Sequence, residues 1–267
     1  MIPLLGLAGE TGTLLAEFKK KIRDKESYEG FQERAEEELG DVLWYLSNIA
    51  SRLGLPLSEI ASKNLQKTHE RWPILGETSE MFLFFDEGCS AKEQLPRSLK
   101  IRVFEIEQGK RAHMEIIPDG TPLGDPLTDN SYDDDGYRFH DVMHLANMAV
   151  LGWSPVIRAL LKRKRKSQPK TDEVEDGARA IILEELVVAF VYGNARERKY
   201  YENIKHLDSE MLSTIKRIVR HLEVGTRKTK DWEDAIFQGY AAFRHLLAKR
   251  EATFHLDLKK RKLVIVK

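Results

Sequence analysis

Apolar positions recur at helical spacing over residues 7–18, and the pattern gives way to a charged run at 19–29 closed by Gly30. A second periodic stretch over 31–53 carries Leu39, Val42, Leu43, Leu46, Ile49 and Ala50 as one broad stripe, until Gly54 stops it. Ser58 and Glu59 open a third over 58–72, with Ile60 and Leu65 on it and Pro73 forbidding continuation. Three helices of this size predict a small bundle. From 74 to 95 the pattern breaks around Gly76 and Gly88, and the only strong apolar cluster is MFLFF at 81–85. This places one domain at 1–75, a linker at 76–97 and a second domain at 98–267.

The second domain opens with alternation: Ile101, Val103 and Phe104 lead through the turn-like Gln108-Gly109-Lys110 to Met114, Ile116 and Ile117, a β-hairpin pattern. Helical periodicity then returns over 137–151, 155–165, 173–192, 196–222 and 231–250. Ser154-Pro155 reads as a helix cap followed by proline at the first helical position, and Asp172 with Glu175 as a capping box. TFHLDL and KLVIV around a basic turn predict a second short hairpin near the end.

Length fits two domains, since 267 residues exceed one small core. The 43 basic and 43 acidic residues cancel, so no global field gathers nucleic acid or anionic lipid, and a charged ligand must be held locally. One cysteine, Cys89, excludes an internal disulfide framework and a multi-cysteine zinc site. The opening residues MIPLLGLAGETG lack the basic leader of a signal peptide, and no apolar run approaches the ~20 residues a bilayer requires. The expectation is a soluble, cytoplasmic protein with no membrane or nucleic-acid partner.

Candidate chemistry begins with carboxylates. Glu10 and Glu17, seven apart, share a helix face, as do Glu38 and Asp41, three apart in EELGDVLWYL. Carboxylates flanked by Leu39, Val42 and Leu43 point toward the bundle interior, where an uncompensated charge is costly. Acidic groups from two helices suit a hard, oxygen-seeking cation such as magnesium. The competing reading is a solvated helix face. Trp44, one turn beyond Asp41, is either a core residue or a platform for a base.

The blocks GLAGETGTLLAEF at 6–18 and EELGDVLWYLSNIASRLGLPLSEIASKNLQKTHERW at 37–72 resemble the MazG family of all-α nucleotide pyrophosphohydrolases. That family carries a Glu-x-x-Glu pair on one helix, a Glu-x-x-Asp pair on the next, and an Asn and a Lys on the following one. The resemblance implies metal ligation by Glu10, Glu38 and Asp41, with Mg2+, or Mn2+, as cofactor. It implies nucleoside triphosphate binding by Asn64, Lys67 and Arg71, catalytic roles for Glu38 and for Glu17 as a substitute ligand or base, and assembly as a homo-oligomeric dimer or tetramer. The fold expected is mainly α: a MazG-like bundle followed by a mostly helical α+β domain with two short β-hairpins.

Two departures stand out. Thr13 occupies the position of the first pair's second glutamate, and a hydroxyl does not replace that charge. An impaired, nucleotide-sensing member is therefore the alternative to an active hydrolase. Only five residues precede Gly6, where the family usually has a helix, so either a subunit partner covers that face or the start lies upstream.

In the second domain His140 and His144, four apart, face the same way on a helix, a two-ligand metal spacing. Glu184 or Glu185, within the apolar run of ARAIILEELVVAF, could complete a second metal site and with it a second hydrolase centre. The rival is a buried network in which the histidines bond those carboxylates and lock two helices. Asp141 stands where the zincin motif has glutamate, which argues against a protease. The basic block LKRKRKS at 161–167 is expected to complement a helix C-terminus.

Overall fold

In a computed structural model the chain divides into two compact units, Met1–Leu75 and Gly76–Lys267. The structure describes residues 2–71, 82–106 and 110–266, leaving aside the side chains of 66, 67 and 69–71. The expected stop at Trp72-Pro73 and the turn residues Gln108 and Gly109 lie outside the described residues.

The first unit is three helices, α1 (Ile2–Asp24), α2 (Phe31–Arg52) and α3 (Leu57–Arg71). α1 runs through the charged stretch that the apolar pattern left out. Lysine and arginine are good helix formers, and Lys21 and Arg23 in its last turn complement the helix dipole. Gly30, at φ +76°, takes the left-handed conformation that starts the return into α2. Gly6 lets the two helices meet: a Cβ there would fall 2.2 Å from the Tyr45 ring.

The stripe on α2 is covered only in part. Ala50 is buried and Val42 and Ile49 are half-buried, but Leu39 and Leu43 are more than half exposed, as is Trp44, which is not a core residue. The described residues of the unit bury only Pro3, Glu17, Ala35 and Ala50.

The second unit is built on a five-stranded antiparallel sheet in the order β3-β2-β1-β4-β5. Its strands are β1 (Ser98–Ile106), β2 (Arg111–Ile117), β3 (Thr121–Pro122), β4 (Glu251–Asp257) and β5 (Lys262–Val266). The two expected hairpins therefore join into one sheet, because β1 pairs with both β2 and β4. The alternation aligns Met114, Val103 and Ala252 in one buried row and Ile101 with Phe254 in the next. Against this sheet pack α4 (Asp141–Leu151) and α9 (Thr229–Lys249), which also pack on each other. Every α4 residue from Val142 to Leu151 is buried, as expected of a helix apolar nearly all round.

Residues 82–97 are not a linker. Arg227 lies 3.8 Å from the Phe82 ring and 4.1 Å from Phe85, and Arg97 lies 3.9 Å from Phe84. Asp86, 1% exposed, pairs with Arg97 and Arg158 and accepts the Leu95 amide.

Three helix expectations change. The 155–165 pattern forms α5 (Pro155–Leu160) only; Ser154 caps it as expected, accepting the Ile157 amide. The block that follows is partly interior, with Arg165 held by Asp176 and Glu223 instead of complementing a helix end. The 173–192 pattern splits at Gly177 into α6 (Pro169–Val174) and α7 (Ala178–Arg196). A Cβ at Gly177 would lie 2.1 Å from the Glu173 carbonyl oxygen, so Asp172 lies inside α6 and caps no longer helix. The 196–222 pattern keeps one regular helix, α8 (Ser209–Ile218), capped by the Asp208 carboxylate, because Tyr200, Tyr201 and Asn203 take positive φ.

Candidate functional site

The first candidate centre lies between α1 and α2. Glu10 on α1 and Glu38 and Asp41 on α2 each offer a carboxylate oxygen within 4.8 Å of the others. The i,i+3 spacing puts Glu38 and Asp41 on one face of α2, and Gly6, one turn before Glu10, sets how closely α1 approaches it. Glu10 and Glu38 are half-buried, whereas Asp41 is exposed at the rim. Burial, followed by the charges of Glu10 and Asp41, pushes the Glu38 carboxyl above its ordinary value. Its Oε2 is buried without a hydrogen-bond partner. A solvated helix face would not leave an acceptor in that condition. A partly buried carboxylate grouped with two others is what a divalent cation would compensate, and the all-oxygen donor set suits a hard one.

Glu17 is not brought into this group. Lys20, one turn on, donates to Oε1 at 2.5 Å, and the Tyr28 hydroxyl donates to Oε2. These two partners hold its carboxyl below the ordinary range, and its carboxylate in turn raises the Tyr28 phenol. Glu17 therefore ties α1 to the turn before α2, a role for which Tyr28 was the unread signal. The Thr13 hydroxyl turns back on its own helix, 3.3 Å from the Gly9 carbonyl oxygen. Asn64 is exposed on α3, and the side chains of Lys67 and Arg71 lie outside the described residues. Trp44, 59% exposed, meets the Tyr45 ring edge-on at 4.8 Å and borders an open basin of about 400 Å³ with Ser47, Asn48 and Ser51.

The second group lies in the other unit, on α4 and α7. His140 precedes α4, and Asp141 and His144 stand on it; ligand atoms of the three lie within 4.8 Å of one another. Glu185 faces both rings, with Oε1 at 3.4 Å from His144 Nε2 and Oε2 at 3.8 Å from His140 Nε2. Glu184 sits behind, fully buried, and accepts from Asn147 Nδ2, Ser154 Oγ and the Val156 amide while lying 3.0 Å from His144 Nδ1. The histidines and both glutamates named from the sequence thus come together. Asp141 was missed as a member, though its i,i+3 spacing to His144 was the available signal.

Burial opposes a charge on the His144 ring, but Glu184 and Glu185 overcome it and raise its pKa to about 10. Burial also raises the Asp141 carboxyl despite both imidazoles. Tyr137 stacks on His140 at 4.3 Å, its phenol pushed up to about 12 by burial and then by Glu185 and Asp141.

Comparison with known proteins agrees with this division. Residues 4–75 match the model of the MazG nucleotide pyrophosphohydrolase domain, and residues 80–267 match that of the MazG C-terminal domain. The chain belongs to the MazG family, a family of nucleotide pyrophosphohydrolases that typically depend on a divalent metal. It is 38% identical over 69 residues to the Gene 37 protein of Mycobacterium phage L5, a match covering 25% of this chain and 60% of that relative. No solved structure matches the chain. No helix among the described residues is long and apolar enough to cross a membrane.

Proposed function

We propose that the first unit is a magnesium-dependent nucleoside triphosphate pyrophosphohydrolase, releasing pyrophosphate and a nucleoside monophosphate, with noncanonical nucleotides among its substrates. The observation that carries this reading is that Glu38, one of whose oxygens is buried and unpartnered, brings a carboxylate oxygen within 4.8 Å of those of Glu10 and Asp41. These three residues would hold Mg2+, with Mn2+ as a substitute. When bound, the ion supplies positive charge against the polyphosphate oxygens and orients them for displacement.

The chain's own residues supply the rest. Water attacks the α-phosphorus, the bond to the bridging oxygen breaks, and pyrophosphate leaves with the electron pair of that bond. Glu38 combines a buried oxygen with a carboxyl raised above its ordinary value by burial and by Glu10 and Asp41, which suits it to orient that water and accept its proton. Lys67 and Arg71, one turn apart on α3, pair with phosphates as a point charge and a planar fork, and Asn64 positions sugar or phosphate. The open face of Trp44, three residues from Asp41, provides a stacking surface for the base. The large apolar side chains that this unit leaves exposed support a homo-oligomer.

A panel of canonical and noncanonical triphosphates assayed with magnesium tests the reading. Pyrophosphate release is expected from the natural chain and a loss of at least about 100-fold in Glu38→Gln with helical content unchanged, in keeping with the scale of general-base catalysis. Equal rates in both proteins would reject the assignment. The Thr13 hydroxyl, turned to the Gly9 carbonyl, favours a second reading in which one ligand is missing and turnover is impaired. Nucleotide binding without pyrophosphate release, restored to turnover by Thr13→Glu, is the outcome that selects it.

A further inference from the structure

We propose that His140, Asp141, His144 and Glu185 form a second metal site, in the C-terminal unit, for a divalent first-row transition ion such as zinc, manganese or iron. It stands independently of the carboxylate centre between α1 and α2.

The argument starts from hydrogen-bond accounting. His144 is completely buried, yet neither ring nitrogen completes a hydrogen bond. Glu184 lies 3.0 Å from Nδ1, too oblique for one. A buried imidazole left in this state costs free energy unless something else engages it. His140 gives the complementary half. Its Nδ1 lies 2.9 Å from the Tyr137 carbonyl oxygen, which can only accept, so Nδ1 is the donor, and in that tautomer Nε2 presents its lone pair. That lone pair faces Asp141 Oδ1 at 3.7 Å and Glu185 Oε2 at 3.8 Å. Acceptors facing acceptors need a proton or a metal ion between them, and a metal ion would engage all four side chains at once.

The spacings fit an ion. Ligands bound at about 2.1 Å in a tetrahedral shell are about 3.4 Å apart. The contacts around Glu185 run from 3.4 to 3.8 Å, longer than good hydrogen bonds and right for two atoms sharing one metal. Ordinary metal sites also brace their histidines from behind, and here a carbonyl does so for His140. Glu184 is fixed by Asn147, Ser154 and the Val156 amide. Two imidazoles with two carboxylates favour a transition ion over magnesium or calcium. The Glu185 side chain is 42% exposed while His144 is fully buried, so the site opens on one side, as sites with an exchangeable position do.

The test uses the full chain carrying Glu38→Gln and Asp41→Asn, which disables the first centre. Zn2+ binding is measured by calorimetry and Co2+ binding by its visible absorption. One equivalent of each ion is expected, with intense bands of four- or five-coordinate Co2+. Adding His140→Gln, or Glu185→Gln at the exposed side, is expected to weaken binding by at least about 100-fold, the upper end of what losing even a supporting residue costs. The thermal midpoint of each variant without metal shows that it folds. No stoichiometric binding, or binding unchanged by either variant, would overturn the site and leave a hydrogen-bonded lock between α4 and α7.

Discussion

Asp86 shows how much one side chain carries. Its carboxylate accepts the Leu95 amide and pairs with Arg97 at 2.5 Å and Arg158 at 3.0 Å. Burial opposes its charge, but these partners hold it below the ordinary aspartate value of 3.8. A carboxyl depressed in the folded state stabilises at pH above its unfolded value, and that contribution is lost as pH falls through the folded one. Asp86→Asn is therefore expected to destabilise the second unit by about 3 kcal/mol at neutral pH, because it breaks a buried charge pair. Urea titrations from pH 7 downward should show the gap between variant and natural chain closing below about pH 4. A constant gap would remove the electrostatic explanation.

Elements differed in how legible they were. The helices bearing Glu10, Glu38 and Asp41 were readable because periodicity and carboxylate spacing coincide on them, as they do for His140 and His144. The stop at Gly177 was not, since the close approach to the Glu173 carbonyl is a contact of backbone with backbone. The same holds for 161–167, read as complementing a helix C-terminus, although Arg165 is 1% exposed beside Asp176 and Glu223. Those carboxylates lie 11 and 58 residues away, beyond any local pattern. Residues 82–97 escaped for a related reason: Phe82 and Phe84 seat against Gly152, which ends α4 at φ +65°. Gly152→Ala meets both penalties, a left-handed backbone and a Cβ 3.3 Å from either ring. A loss of at least about 1–2 kcal/mol is expected from the backbone alone. Chemical denaturation of the variant checks it, and a stability equal to the natural chain's would show that the segment does not rely on this seat.

At the scale of the molecule the units contrast in what they bury. The second has a continuous core from Leu95 to Leu258, whereas the first leaves Leu15 and Ile22, seven apart on one face of α1, at 65% and 76% exposure. Sedimentation velocity is expected to give a dimer or tetramer of the 30.8 kDa chain, and Leu15→Glu with Ile22→Glu a smaller species. A natural chain sedimenting as a monomer would reject this assembly.

The strand order has a consequence for how the protein is made. β1 sits between β2, which follows it almost at once, and β4, which begins at Glu251. During translation the middle of the sheet leaves the ribosome long before its second neighbour exists, with one edge open to any passing extended chain. Closure waits on a contact spanning some 150 residues, so this unit is expected to fold slowly and late, after synthesis has passed α9.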